Sequence, residues 1–254
     1  MSDQMIFKRY EIKYMLTKQQ KIRLCQMMQS VMVADEHGRN TIQSLYFDTP
    51  DYRLIRTSLD KPFYKEKLRL RSYGVATEES DVFIELKKKY DSVVYKRRIG
   101  MSEQQARAYL LSHEPVTESQ ISHEIDYCMK YYKNLSPKML LSYEREAFYH
   151  RTDRNLRITF DENILWRDYD VDLKAGIYGT PILKKDQVLM EVKTAGAMPL
   201  WLVRFLSENQ IYKTSFSKYG TAYKTLMQRT GECEATLANE AASIYEKGGI
   251  YNYA

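Results

Sequence analysis

Residues 63–74 read FYKEKLRLRSYG, and residues 81–100 read DVFIELKKKYDSVVYKRRIG. The charges in these runs alternate. Lys67, Arg69 and Arg71 share one parity, and Leu68 and Leu70 share the other. Glu85 and Lys87 oppose Val82, Ile84 and Leu86, and Lys96 and Arg98 repeat the pattern. Successive side chains on a strand point to opposite faces of the sheet, so this spacing predicts three strands, each with one apolar and one basic side. Tyr90-Asp91-Ser92 predicts a tight turn between the last two. For any one strand a charged face is ordinarily a solvated face. The fold turns on whether these faces meet water or one another.

The rest of the chain repeats the arrangement. Glu11 and Lys13 pair at i, i+2, as do Tyr143 and Arg145, and Glu191 and Lys193. Arg157, Thr159 and Asp161 share a face. Between the strands lie helix signals. Thr17-Lys18-Gln19-Gln20 and Ser102-x-x-Gln105 have capping-box form and open helices expected to reach Val33 and Leu111. Further helices are expected over 51–58, 118–133, 199–209 and 218–228. Asp35–Asn40 reads as a turn, and Asp161-Glu162-Asn163 as a turn between strands 155–161 and 163–173. The amphipathic helices need an apolar sheet face to bury against. If they cover the outside, the charged faces converge inside a closed barrel, which also removes sheet edges.

With 254 residues, 44% of them hydrophobic, the chain is long and apolar enough for one large domain. A formal charge of +6 favours an anionic partner without choosing one. The 22 tyrosines against 10 glycines suit long strands better than glycine-rich ligand loops. Cys25, Cys128 and Cys233 lack any CxxC spacing, which predicts a reducing, cytoplasmic location. No apolar run is long enough to span a bilayer, so a membrane link is expected only through a separate membrane protein. There is no G-x-x-x-x-G-K-[ST] loop, and the four histidines are scattered. Base-stacking aromatics are not interleaved with the basic residues, so no nucleic acid is expected. The oligomeric state is left open.

A row of inward cations needs water, acids and a polyanion to be stable. Arginine forks match phosphate oxygens and lysines add point charge. Carboxylates among them, here Glu11, Glu85, Asp161 and Glu191, suit a divalent cation bridging to phosphate. Nine pieces occur in order: YEIKYML, LYFDTP, LRLRSYG, FIELKKK, VVYKRR, YEREAF, LRITFDENI, LMEVKT and SFSKYG. Together they resemble the VTC domain, the polyphosphate polymerase module of the triphosphate tunnel metalloenzyme superfamily, over about residues 5–228.

The resemblance implies an α+β fold, a closed eight-stranded antiparallel tunnel barrel with helices outside. It would span 1–231, leaving 232–254 as a flexible tail. It implies transfer of the γ-phosphate of ATP onto polyphosphate with Mn2+ or Mg2+. Arg69, Arg71, Lys87, Arg145 and Arg157 would be catalytic. Lys13, Lys96, Arg98, Ser217 and Lys218 would bind substrate. Glu191 would hold the metal, with Glu11, Glu85 and Asp161 as further candidates. Where some members carry a lysine this chain has Ser215, with Lys213 nearby. Where the related hydrolases carry Glu-x-Glu-x-Lys, this chain reads Arg9-Tyr10-Glu11-Ile12-Lys13, which argues against efficient hydrolysis. Two alternatives stand beside the polymerase: a tunnel-family triphosphate hydrolase, and a non-catalytic module that binds polyphosphate or inositol phosphates.

Overall fold

A computed structural model of the chain describes residues 10–91, 93–114 and 116–231. The expected tail 232–254 and residues 7–9, the start of a first strand expected over Phe7–Leu16, lie outside the described residues. Ten strands form one antiparallel sheet: β1 (Tyr10–Thr17), β2 (Met32–Asp48), β3 (Tyr64–Tyr73), β4 (Asp81–Tyr90), β5 (Val93–Ser102), β6 (Ser136–His150), β7 (Arg157–Arg167), β8 (Thr180–Pro181), β9 (Gln187–Thr194) and β10 (Lys213–Thr214). Their order is β10-β1-β9-β7-β6-β2-β3-β4-β5, with β8 added to β7. The helices are α1 (Lys18–Met28), α2 (Arg53–Leu59), α3 (Glu103–Ser112), α4 (Gln120–Tyr132), α5 (Leu200–Glu208) and α6 (218–231).

Both capping boxes form. Gln20 N–H donates to Thr17 Oγ1 at 3.1 Å while Thr17 N–H donates to Gln20 Oε1 at 2.9 Å. Ser102 and Gln105 repeat the exchange at the start of α3. The apolar parity of β3 and β4 packs outward. Leu68, Leu70, Ile84 and Leu86 lie with Ala106, Tyr109 and Leu110 of α3 and Ile125 of α4 in one core. A second core joins Tyr14, Ile158, Met190 and Val192 to Leu24 of α1 and Leu202 and Phe205 of α5. Truncating one such buried side chain to alanine costs about 2–5 kcal/mol. Helices therefore cover two outer patches of the sheet, and the charged parity is left on the other face.

That face is concave. β1 and β4 are separated along the ladder by five strands. Even so, Lys87 Nζ of β4 stands 3.8 Å from the Glu11 carboxylate of β1. The backbone ladder does not follow. The expected closed eight-stranded barrel is instead an open, curled sheet of ten strands, with no pairing between β5 and β1 among the described residues. One cause is visible at β1. Its free edge at Lys13 and Tyr14 is taken by Thr214 and Lys213 of β10, where a closing strand would have to bond.

Two expected turns are also corrected. Residues 35–40 continue β2 through a register shift between Ala34 and Arg39. Asp161-Glu162-Asn163 does not reverse the chain. Asn163 takes a left-handed φ of 49°, and the β6–β7 register shifts across Ser142 and Glu144. The turn signal is absorbed as a β-bulge, which inserts a residue and re-aims the side chains beyond it. Asp161 before the bulge and Ile164 and Trp166 after it therefore share the concave face.

At one end this face is apolar. Tyr219, Ala222 and Leu226 of α6 pack on Tyr46, Met139, Leu141 and Trp166, with Ile55 of α2. Asp48, fully buried, ties these parts together. Its carboxylate accepts from the Leu54 and Ile55 amides of α2 and from the Tyr219 hydroxyl, at 2.8, 3.0 and 2.9 Å. This links LYFDTP to SFSKYG, two motifs far apart in sequence.

Candidate anion site on the concave face

The first cluster belongs to β3, β4 and β5. Register places Arg69 opposite Glu85 and Glu85 opposite Arg98. The Glu85 carboxylate, 2% exposed, gathers four cations. Arg69 Nη2 lies at 2.6 Å, Lys96 Nζ at 2.6 Å, and Arg71 and Arg98 Nε at 3.7 Å. Burial alone would raise the Glu85 pKa. Arg69, Arg71 and Lys96 outweigh it and hold the carboxyl below the usual range. Two tyrosines brace the arginines. Arg69 Nη1 donates to Tyr46 Oη at 3.0 Å, and Arg71 Nη2 to Tyr143 Oη at 3.3 Å. The Tyr46 hydroxyl is pulled down to about 8, because Arg69 and Lys67 outweigh its burial. Arg98 lies over the Phe83 ring at 3.5 Å. Gly100 faces that ring across the ladder, and a Cβ there would meet it at 3.1 Å.

The second cluster belongs to β1, β6, β7, β9 and α6. Arg145 grips Asp161 with both prongs, at 2.5 and 2.6 Å, and reaches Glu191 at 3.2 Å. Lys218, in the first turn of α6, bonds Asp161 and stands 3.4 Å from Glu191. Lys13 lies 3.4 Å from Glu191 and 3.6 Å from Glu11. Burial opposes ionisation of both acids, but Lys218 and Arg145 hold Asp161 low, and Lys218 and Lys13 hold Glu191 well below the usual range. Lys218 is raised in turn, because Asp161 and Glu191 outweigh its burial.

A short segment joins the two clusters. Lys13 Nζ donates to Phe216 O at 3.1 Å, and Lys67 Nζ donates to Ser217 Oγ at 3.4 Å. Ser217 Oγ also accepts from Gly220 N–H and so caps α6. The sequence-predicted residues Lys13, Arg69, Arg71, Lys87, Lys96, Arg98, Arg145, Ser217 and Lys218 thus come together with Glu11, Glu85, Asp161 and Glu191. Arg157 does not join them. It is half exposed at the start of β7, and its guanidinium bonds Asp35 at 3.0 Å. Tyr46, Tyr143, Lys67 and Lys193 line the same face and were not singled out as site residues. The signal was present: Lys67 and Tyr143 share inward parity with residues that were.

The four acids fit a divalent ion in part. Among the described residues no three His, Cys, Asp or Glu side chains converge on one point. Glu85 and Asp161 are closely paired with arginines at 2.5–2.8 Å. Glu191 meets Arg145 at a longer 3.2 Å, and Glu11 and Glu191 both face the Lys13 ammonium. Two carboxylates suit Mg2+ or Mn2+ when phosphate and water supply the remaining ligands.

These features can be set beside known proteins. The VTC domain model matches residues 8–227. The chain belongs to the VTC domain family. A search of curated proteins returned no match. Among solved structures, a candidate adenylate cyclase from Bacillus halodurans shares the fold at a TM-score of 0.50 and 16% identity, over 84% of this chain and 94% of that one. A candidate adenylyl cyclase from Hippeastrum, described as having a dominant triphosphatase activity, aligns at 0.49 and 15% identity, over 85% and 95%. One from Vibrio parahaemolyticus aligns at 0.48 and 11%, over 87% and 99%. Among the described residues of this VTC domain, no helix is long and apolar enough to cross a membrane.

Proposed function

We propose that this VTC domain is a metal-dependent phosphotransferase that moves the γ-phosphate of ATP onto a polyphosphate chain. The observation that carries the reading is the charge balance of the concave face: one buried carboxylate, Glu85, shared among Arg69, Arg71, Lys96 and Arg98. A set so short of negative charge favours a polyanion. Arg69 and Arg71, held in direction by Tyr46 and Tyr143, would grip the non-bridging oxygens of the triphosphate. Lys96, Arg98 and Lys87 would add charge around it. Arg145, Lys218 and Lys13 would orient the second phosphate group, with Ser217 as a hydroxyl donor. Arg157, at the rim, would meet only the outermost phosphates. Glu191 and Glu11 would hold the divalent ion, Mn2+ or Mg2+, which supplies charge neutralisation at the phosphate oxygens. No protein nucleophile is required, because positioning and preorganised charge carry most phosphoryl-transfer catalysis.

The test is incubation with ATP and Mn2+, followed by a polyphosphate gel. Polyphosphate chains that vanish in Arg69→Ala are expected. Free phosphate from tripolyphosphate without chain growth would replace this reading with a hydrolase. Binding that persists in chelator, with no turnover, would replace it with a non-catalytic binding module. A cytoplasmic location and a membrane partner are further parts of the proposal, tested by fractionating cells that carry the tagged chain.

A further inference from the structure

The convex side of the sheet carries a row of aromatic rings outside both clusters. Tyr64 of β3 and Tyr90 of β4 stand directly opposite in register, on the face against which α4 packs. Phe63, just before β3, meets the Tyr90 ring edge to face at 4.7 Å. The Tyr64 hydroxyl donates to the buried Glu66 carboxylate. Tyr132 of α4 reaches the same acid, and burial together with Glu66 raises its hydroxyl above the usual range. From Tyr132 the row continues along α4 to Tyr131, at 5.0 Å, and from Tyr131 to Tyr127, at 6.1 Å. Phe63, Tyr64, Tyr90, Tyr127 and Tyr131 are 43–65% exposed, so five large rings stand open to solvent in one band. Single exposed rings are ordinary on a protein surface, whereas a contiguous band marks an interaction site.

Cations fringe the band. The Arg53 guanidinium lies over the Tyr131 and Tyr132 rings at 5.6 and 5.5 Å. Lys130 and Lys133 are exposed on either side of these two tyrosines, and Lys61 is exposed two residues before Phe63. Among the described residues none of these four cations has a carboxylate partner, whereas neighbouring Arg56 pairs with Asp51. Of the nearby acids, Asp126 accepts from the Tyr109 hydroxyl at 2.5 Å, and Asp60 and Asp91 lie at the Phe63 end. The fringe keeps a surplus of positive charge.

We infer that this tyrosine band is a docking face for the surface of an anionic phospholipid bilayer. Tyrosine suits that boundary, because its ring is apolar and its hydroxyl stays wet. Lysines and arginines without internal counter-ions gain from anionic headgroups. A protein hot spot is centred in a packed pocket, whereas these rings form a row with cations along its edge. The contact is peripheral, made by rings at the headgroup level. It is independent of the proposed reaction, in which none of these residues has a role.

The experiment sediments the full chain with vesicles of phosphatidylcholine alone, or of phosphatidylcholine with about one-third phosphatidylserine. Wild type should bind the anionic vesicles at least about tenfold more tightly, and raised salt should weaken that binding. Saturating tripolyphosphate, which occupies the concave face, should leave it in place. Y127S/Y131S and R53A/K130A/K133A should each lower the affinity about tenfold, and Y127F/Y131F should keep it. The substituted positions are all exposed, so the fold should survive. A wild type that ignores both kinds of vesicle overturns the inference. So does binding that tripolyphosphate abolishes and Y127S/Y131S leaves unchanged, which would place the lipid contact on the concave face. Self-association in place of vesicle binding, lost in Y127S/Y131S, would give the band to a second copy of the chain and overturn it equally.

Discussion

The Glu85 cluster and the Asp161–Glu191 cluster are built from the same residue types and behave differently. In the first, one acid serves four cations, and two of these, Lys96 and Arg98, are substantially exposed. In the second, two acids serve three principal cations, and Asp161, Glu191, Arg145 and Lys218 are all largely buried. The second is close to neutral and knits β6, β7, β9 and α6 together. The first is short of negative charge on a wall where a ligand can supply it. Basic residues on one face thus divide into those already matched by internal carboxylates, which also brace the protein, and those left short of a counter-ion. The division follows from how many carboxylates register places among them.

The strongest way to break this comparison is to remove one arginine from each side. Arg145→Ala leaves the buried Asp161 with half its partners and should cost about 3–5 kcal/mol of stability, read by chemical denaturation. Arg69→Ala should lower turnover about 10²–10³-fold with a much smaller loss of stability. Equal stability losses would show that the two clusters are alike. Next in size is Glu85→Gln. It should lower the melting temperature of the free protein, and tripolyphosphate should raise it more than in wild type, because the ligand replaces the lost charge. A melting temperature unmoved by ligand in that variant would contradict the reading of Glu85 as an internal counter-ion. Asp48→Ala, outside both clusters, should cost about 1–3 kcal/mol by leaving the buried Leu54 and Ile55 amides and the Tyr219 hydroxyl without their acceptor.

The smallest effect is one of pH. Lys67 is held at about 8 by burial and by Lys87, Lys13 and Lys65, against a raising influence from Tyr46. Its unfolded value is that of an ordinary lysine. Between these values the unfolded chain binds the extra proton, so the contribution of Lys67 to stability rises with pH across that window. Anion affinity should move the other way and fall as pH passes 8. Lys67→Arg should flatten the affinity profile, and an unchanged profile would remove Lys67 from the account. Lys193, also held at about 8 by burial against Glu11 and Glu191, and the Tyr46 hydroxyl, drawn down to about 8 by Arg69 and Lys67 against its burial, share this range; Lys193→Arg and Tyr46→Phe separate them.

Alternation alone disclosed which side chains face inward, because parity is a property of the strand and needs no tertiary information. The capping boxes at Thr17 and Ser102 were legible for the same reason. Closure was not. It depends on which edge β10 takes, and two residues with no strand signal decide that. Asn163 was misread because a left-handed asparagine signals a turn and a bulge equally; only the partner strand distinguishes them. Tyr46 was not singled out within LYFD; it stacks on Tyr219 at 4.3 Å while its hydroxyl meets Arg69. A residue that is core at its ring and site at its oxygen cannot be assigned from hydropathy. Arg157 shows the opposite failure: its parity was right, but its position at the end of β7 let Asp35 claim it.

The seam between β4–β5 and β1 carries a last consequence. A ring joined all round by backbone hydrogen bonds admits a polymer only by its end, like thread through a needle. This sheet is fastened there by side chains, Lys87 to Glu11 at 3.8 Å, with no ladder among the described residues. That clasp is a partly exposed ion pair, worth about 0–1 kcal/mol, and the Lys67–Ser217 hydrogen bond is a second stitch across the same gap. A seam held by side chains can part and re-form without unmaking any of the backbone ladder.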